Sequence, residues 1–382
     1  MKKIAYLSAA NFADCDIPLL HELQQQADVT YILHVAENNK CQTLIDIKKL
    51  KKCGGVFPAT DYPDLRNLSQ YIDLNKVYVF NMPGKHDFSP SNLWATVCLL
   101  FFLVRHRFSI LHLTWPLRYG TFLLYLLRRR MVLTMHDPLP HSSEDTRLNR
   151  FHRKMAIRLV PRFILLNGSQ REEFMSHYGI SEERVYMSRL GIYTHLLDTK
   201  PVRPALKDYV LFVGKINTHK GVDVLCKAMQ EVHKSYPELK LVVAGSGKMY
   251  FDTEPYTKEG FLHLHNHYLS DAELAGFISH SLFVVCPYID ATQSGVIMSA
   301  FALGKPVIAT ATGGLPEMVK DGRHGLIVPP RDSEALAVAI QSLVGMPERL
   351  DEMHSSIMED YHHGVNSWHD IASQYLKVYS NY

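Results

Sequence analysis

Two lysines follow an apolar run in YVLFVGKINTHKGVD (209–223), where the run ends at Gly214 and Lys215 and Lys220 lead into a glycine and a helical pattern. In an α/β sheet, the loop that joins a parallel strand to a helix N-terminus is a ready seat for an anion. Two ammonium groups there would neutralise a diphosphate. Taken alone, the pair fits better as two solvated lysines on a tight turn, because so short a motif also occurs by chance. VVAGSGKM (242–249) ends a second strand in Gly245 and Gly247, which suits close backbone approach but also an ordinary glycine turn. A third segment, PYIDATQSGVIMSAFALGKPVIATATGGLPEMVKDGRHGLIVPP (287–330), carries more. Here a polar loop from Asp290 to Gly295 follows a buried strand, and a helix runs from about Val296 to Leu303, stopping at Gly304 before Pro306. The amides of Ser294, Gly295 and Val296 would stand at that N-terminus, aimed at the same phosphates as the lysines. VIAT then meets a Gly313-Gly314 turn and a helix opening with Pro316 and Glu317.

These loops need parallel sheets to hold them, and the chain alternates short apolar runs with longer helical patterns throughout. In the first half the expected strands are 3–8, 29–35, 77–82, 109–114, 131–136 and 162–167, with helices around 17–27, 91–106, 118–129, 145–158 and 169–178. The Pro-rich, polar segment DTKPVRPALKD (198–208) reads as a linker. Beyond it the alternation restarts, with strands at 209–214, 239–245, 262–266, 281–288, 305–310 and 324–330. The division expected is 1–200 and 206–360, each a doubly wound α/β unit. A final helix over 365–382 carries Trp368, Ile371, Tyr375 and Val378 on one apolar face, able to pack back on the first unit.

The composition sets bounds on function. At 382 residues the chain is long enough for two domains, and 47% hydrophobic with 21% charged residues is an ordinary globular balance. A net charge of +3 gives no reason to expect a nucleic-acid partner. The six cysteines lack paired spacing and read as buried thiols in a reducing, cytoplasmic setting, without a metal site. The first residues lack the long apolar core of a signal peptide, and the run LWATVCLLFFLV (93–104) is shorter than the roughly 20 residues that span a bilayer.

The ordered motifs FVGKINTHKG, CPY, FALGKPVIA, GGLPE and DGRHG, covering most of 209–330, resemble those of glycosyltransferase family 4. These group 1 glycosyl transferases are retaining, metal-independent enzymes of the GT-B fold. The resemblance implies two Rossmann-like domains facing a central cleft and a nucleotide diphosphate sugar as donor, with no cofactor. It implies that Lys215 and Lys220, beside Gly214, hold the diphosphate, that the base lies near Asn266, His267 and Tyr268, and that Glu317 sits in the turn below the phosphates. The family's pair of glutamates, which meet the donor sugar and the ribose, falls on Ala291 and Ser299. Gln293 and Ser294 would then supply neutral hydrogen bonds to the sugar, and Ser299 a weaker ribose contact. Transfer by attack on the face from which the phosphate leaves needs the leaving charge stabilised, which lysines and helix N-termini do without metal. It needs no acid–base pair of carboxylates, whereas a glycosidase would.

In the first half, LTMHDPLPH (133–141) ends a strand in His136-Asp137. The family places such a histidine at the reacting centre, and a His-Asp cap of a Pro-bounded turn is the bland alternative. AANFADCDIP (9–18) offers Asn11 and Asp16, with Asp137, as contacts for a saccharide or lipid-linked acceptor. Segments 93–107 and 117–130 fit two helices that bury their apolar residues on the sheet. Their basic ends, RHR (105–107) and RRR (128–130), leave peripheral contact with the inner membrane face open. The expected function is sugar transfer in cell-surface polysaccharide or glycolipid synthesis. A non-catalytic nucleotide-sugar-binding subunit is the alternative, and an NAD-linked oxidoreductase is weaker because strand one leads into AANFADCD, not G-x-G-x-x-G.

Overall fold

A computed structural model describes residues 2–86, 88–116, 119–139 and 147–381. Residues 140–141 of the LTMHDPLPH segment, 117–118 and 145–146 lie outside the described residues. The chain divides into two compact units, one running to Leu190 and resuming at Trp368, the other spanning Gly191–Ser367.

The first unit holds an eight-stranded sheet: β1 (Lys3–Ala9), β2 (Asp28–Ala36), β3 (Gly55–Pro58), β4 (Val77–Met82), β5 (Ile110–Leu113), β6 (Met131–Met135), β7 (Arg162–Leu165) and β8 (Val185–Met187). Their order is β3-β4-β2-β1-β5-β6-β7-β8, and only the edge pair β3–β4 is antiparallel. The six expected strands are all present. β3 and β8 escape sequence reading because four residues with Gly and Pro, and three residues with one buried, carry no alternation. From β1 the chain winds one way to β2 and β4, then returns to β5 and continues the other way. The β1/β5 boundary is thus a topological switch point.

The second unit carries β9 (Tyr209–Val213), β10 (Leu241–Ala244), β11 (Leu262–His265), β12 (Ser281–Cys286), β13 (Val307–Thr310) and β14 (Gly325–Val328). All are parallel, ordered β11-β10-β9-β12-β13-β14, with the switch at β9/β12. The four inner strands β10, β9, β12 and β13 are largely apolar, buried runs, as helices covering both faces require, whereas the edge strands β11 (LHLH) and β14 (GLIV) are only partly buried. The division falls at Leu190/Gly191, upstream of the expected linker. The Pro-rich stretch docks on the second unit instead, with the Val202 amide donating to the Ala272 carbonyl at 2.8 Å and Val202 packed against Gly276.

The helix Trp368–Ser380 returns to the first unit and packs on the helix Ala13–Gln26. Its buried tyrosines enter a polar network. His112 on β5 pairs at 2.9 Å with both Thr134 and the Tyr379 hydroxyl, Tyr375 reaches Thr134 at 3.3 Å, and the Tyr6 ring stacks on His112 at 4.6 Å. Asp16 also belongs here: its carboxylate accepts from the Tyr6 hydroxyl at 2.7 Å, and the residue is 2% exposed. Of the six cysteines only Cys226 and Cys286 are buried, while Cys41 and Cys53, which sit in the polar segments NNKCQT and LKKCGG, are exposed.

Burial drives the Asp16 carboxyl up from 3.8 to about 7, against the pull of the Ser8 and Tyr6 hydroxyls. Between those values the folded chain keeps a proton that the unfolded chain has released, so this group lowers stability as pH rises. Buried His112, held down to about 3, acts in the opposite sense in acid. Asp16→Asn isolates the first effect: it should raise Tm relative to the parent above pH 7 and lose that advantage near pH 4, read by thermal unfolding at both values. A gain independent of pH would show that Asp16 does not hold its proton.

Candidate functional sites at the two carboxyl edges

In the second unit four loops meet at the strand ends on either side of the switch point. β9 ends at Gly214, beside which stands the Val296 side chain, at the start of the helix Gly295–Ala302. The loop from Lys215 to Lys220 then lies against the end of β12. Gly221 has φ 63°, and a Cβ there would fall 2.1 Å from the Pro287 carbonyl oxygen, so only glycine lets the two backbones approach. The Ile289 amide donates to the His219 carbonyl at 2.8 Å across the same seam. Gly313, at φ 51°, permits the loop after β13 to touch the Ala291 carbonyl in the same way.

This seam delivers Lys220. Its ammonium rests 3.4 Å from the ring centroid of Tyr288, and burial lowers its pKa, opposed by Cys286. Tyr288 is fully buried; the Thr310 and Thr312 hydroxyls donate to its carbonyl at 2.6 and 3.1 Å, and Ser294 Oγ donates to its hydroxyl at 3.3 Å. Ser294 is in turn the N-cap of the helix Gly295–Ala302, accepting from the Ile297 amide. One tyrosine therefore joins the cation to the helix N-terminus, where the amides of Gly295 and Val296 precede the first intrahelical bonds. The structure brings together Gly214, Lys220, Ser294, Gly295 and Val296, with Lys215 exposed on the same loop. Tyr288 was missed as a site residue: its position in CPY reads only as a strand end, and its role depends on what folds over it.

Other expected residues have different surroundings. Gln293 is half-buried, with its Nε2 buried and unpartnered among the described residues. Ser299 donates back to the Gly295 carbonyl at 3.0 Å. Asn266 clamps the Gly247 backbone through both amide atoms at 3.0 and 3.2 Å, His267 pairs with Glu273 at 3.0 Å, and Tyr268 is 80% exposed. Glu317 is exposed on the short helix Leu315–Met318. Beside the seam, the loops after β9 and β10 enclose an open hollow of about 760 Å³ lined by Asn217, Thr218, Lys248 and Tyr250.

The first unit has a cavity of about 730 Å³ at the carboxyl ends of β1, β2, β4, β5 and β6. Asn11, His34, Lys85, Trp115, His136 and Asp137 are among its walls. The His136 ring stacks on Phe12 at 4.3 Å, and burial pushes its pKa down to about 4 against the pull of Asp137, so the imidazole is neutral at pH 7. The Arg153 guanidinium donates to the Asp137 carbonyl. Asp16 is not part of this wall; its carboxyl is turned inward to Tyr6, which corrects the expectation of an acceptor contact. Among the described residues no group of three His, Cys, Asp or Glu side chains could hold a metal ion.

Two family models match the chain: Glycosyl transferases group 1 over residues 207–345 and Glycosyltransferase Family 4 over residues 56–195. The chain belongs to this glycosyltransferase family. It is 27% identical over 292 residues to the alpha-maltose-1-phosphate synthase of Mycolicibacterium smegmatis, covering 65% of this chain and 72% of that one. The sucrose-phosphate synthase of Thermosynechococcus elongatus superposes with a TM-score of 0.69 at 18% identity, over 100% of this chain and 99% of that one. Anabaena HepE, solved in complex with UDP-glucose, gives 0.64 at 16% identity over 100% of both. The fold is thus GT-B, and the protein is a glycosyltransferase that uses a sugar donor.

Gly221→Ala tests the seam. Left-handed strain together with the Pro287 contact should cost about 2 kcal/mol or more, seen as a lower Tm. An unchanged Tm would mean that the two loops are not in contact.

Proposed function

We propose that this glycosyltransferase moves a sugar from a nucleotide diphosphate sugar to a saccharide or lipid-linked acceptor, with retention at the anomeric carbon and without a metal ion. The observation that carries the reading is the seat of Lys220 on Tyr288, one hydrogen bond from the cap of the helix Gly295–Ala302. Charge that develops on a departing diphosphate would meet a fixed cation and oriented amides, neither of which has to reorganise during the reaction. Lys215 adds a second, exposed cation. The complex of HepE with UDP-glucose supports a nucleotide sugar as the donor class.

Within this reading Gln293 offers its unpartnered Nε2 to the donor sugar, Ser299 a weaker ribose contact, and Glu317 supports the phosphate turn. The base lies toward Asn266, His267 and Tyr268. Asn11 and Asp137 line the polar cavity of the first unit and receive the acceptor hydroxyls, and neutral His136 serves the reacting end. A place in cell-surface polysaccharide or glycolipid synthesis, on the cytoplasmic side, follows from an acceptor of this kind.

Release of nucleoside diphosphate across a panel of donors and acceptors tests the proposal. Lys220→Ala should reduce turnover about 10²–10³-fold while the protein stays folded. EDTA should leave the rate unchanged, and the product should keep the donor's anomeric configuration by NMR. A chelator-sensitive rate or an inverted product would refute the corresponding part.

A further inference from the structure

The segments expected to hide their apolar residues against the first sheet hide only one face. Ala95, Leu99, Leu103 and Leu124 are buried in the core as expected. On the opposite face of the helix Pro90–Arg105, Trp94 (61% exposed), Val97, Phe101 (66%) and Val104 follow spacings of three and four. The 3-10 turns over Tyr119–Arg130 pack beside that helix and expose Phe122 and Leu126 (69%). The helix Arg147–Leu159 adjoins these turns in its own right and exposes Phe151 and Met155. Scattered exposed apolar residues need no explanation, but a run across three neighbouring elements does.

The charges of these elements have one sign. The three segments contain no Asp or Glu, while Arg105, Arg128 and Arg129 are exposed at the ends of the first two and Lys154 and Arg158 on the third. We propose that this face seats the protein peripherally on a bilayer of anionic lipid. Aromatic and aliphatic side chains would enter the headgroup boundary while the arginine heads stay with the phosphates. A second copy of the chain is a poorer occupant: a two-fold contact would set these cations against their own copies with no carboxylate among the three segments to offset them. No helix among the described residues is long and apolar enough to cross a membrane, so the attachment lies on the surface. The surface stands apart from the sugar-transfer reading, and its test needs neither donor nor acceptor.

The full chain is sedimented with phosphatidylcholine vesicles, with and without phosphatidylglycerol. Binding to the anionic vesicles should exceed binding to the neutral ones by about tenfold or more and fall with added salt. The variant Trp94→Ser/Phe101→Ser/Leu126→Ser should lose it at unchanged Tm, since all three side chains are exposed. Arg128→Glu/Arg129→Glu should lose the lipid-charge dependence. No binding to anionic vesicles, or binding unaltered in both variants, overturns the proposal. So does a dimer in light scattering that Phe101→Ser dissolves, because the face would then belong to a second copy.

Discussion

The close approach of backbones at the carboxyl edge of the second sheet is the constraint on which the candidate site of the second unit depends. A helix N-terminus and a lysine can share an anion only if the loops that carry them touch, and a side chain at Gly221 or Gly313 would hold those loops apart. With the glycines in place, Tyr288 becomes a platform fixed by two threonine hydroxyls below and carrying the Lys220 ammonium on its ring. The cation is positioned before any ligand arrives. Its cost is partial desolvation, visible in the lowered pKa of Lys220.

The first unit solves a different problem with the same topology. Its sheet also changes winding direction between β1 and β5, and the loops that diverge there wall a polar cavity. One face of that sheet carries a buried network of Tyr6, His112, Thr134, Tyr375 and Tyr379, to which the last helix contributes two hydroxyls. Polar groups so deep in a sheet are tolerable because each finds a partner, and satisfying them requires residues more than two hundred positions apart in the chain. The last helix is thus held by directional bonds as well as by its apolar stripe.

The other face shows how an apolar segment can mislead. Residues 93–104 are apolar on all sides, which by periodicity alone describes a fully buried helix. The sheet offers only one surface to pack on, so four of those side chains, Trp94, Val97, Phe101 and Val104, face outward beside arginines.

The sequence by itself determined the alternation that makes two parallel sheets, the strands with long apolar runs, and the motif glycines and lysines of residues 209–330. All of these are local patterns of period, turn chemistry and spacing. It could not reveal Tyr288 as the link between Lys220 and the helix cap, the inward turn of Asp16, the docking of the Pro-rich stretch on the second unit, or the exposed face at Trp94 and Phe101. Some of the partners are distant in the chain, as Lys220 is from Tyr288 and Val202 from Ala272, and others, Tyr6 for Asp16 and Ser294 for Tyr288, are near in sequence but meet only when the chain is folded. Which neighbour a side chain meets, and whether its far face is covered, are properties of the packed whole. The two lysines and the helix start were therefore legible in outline, and the tertiary structure decided that one of the two lysines is seated on an aromatic ring while the other stays exposed.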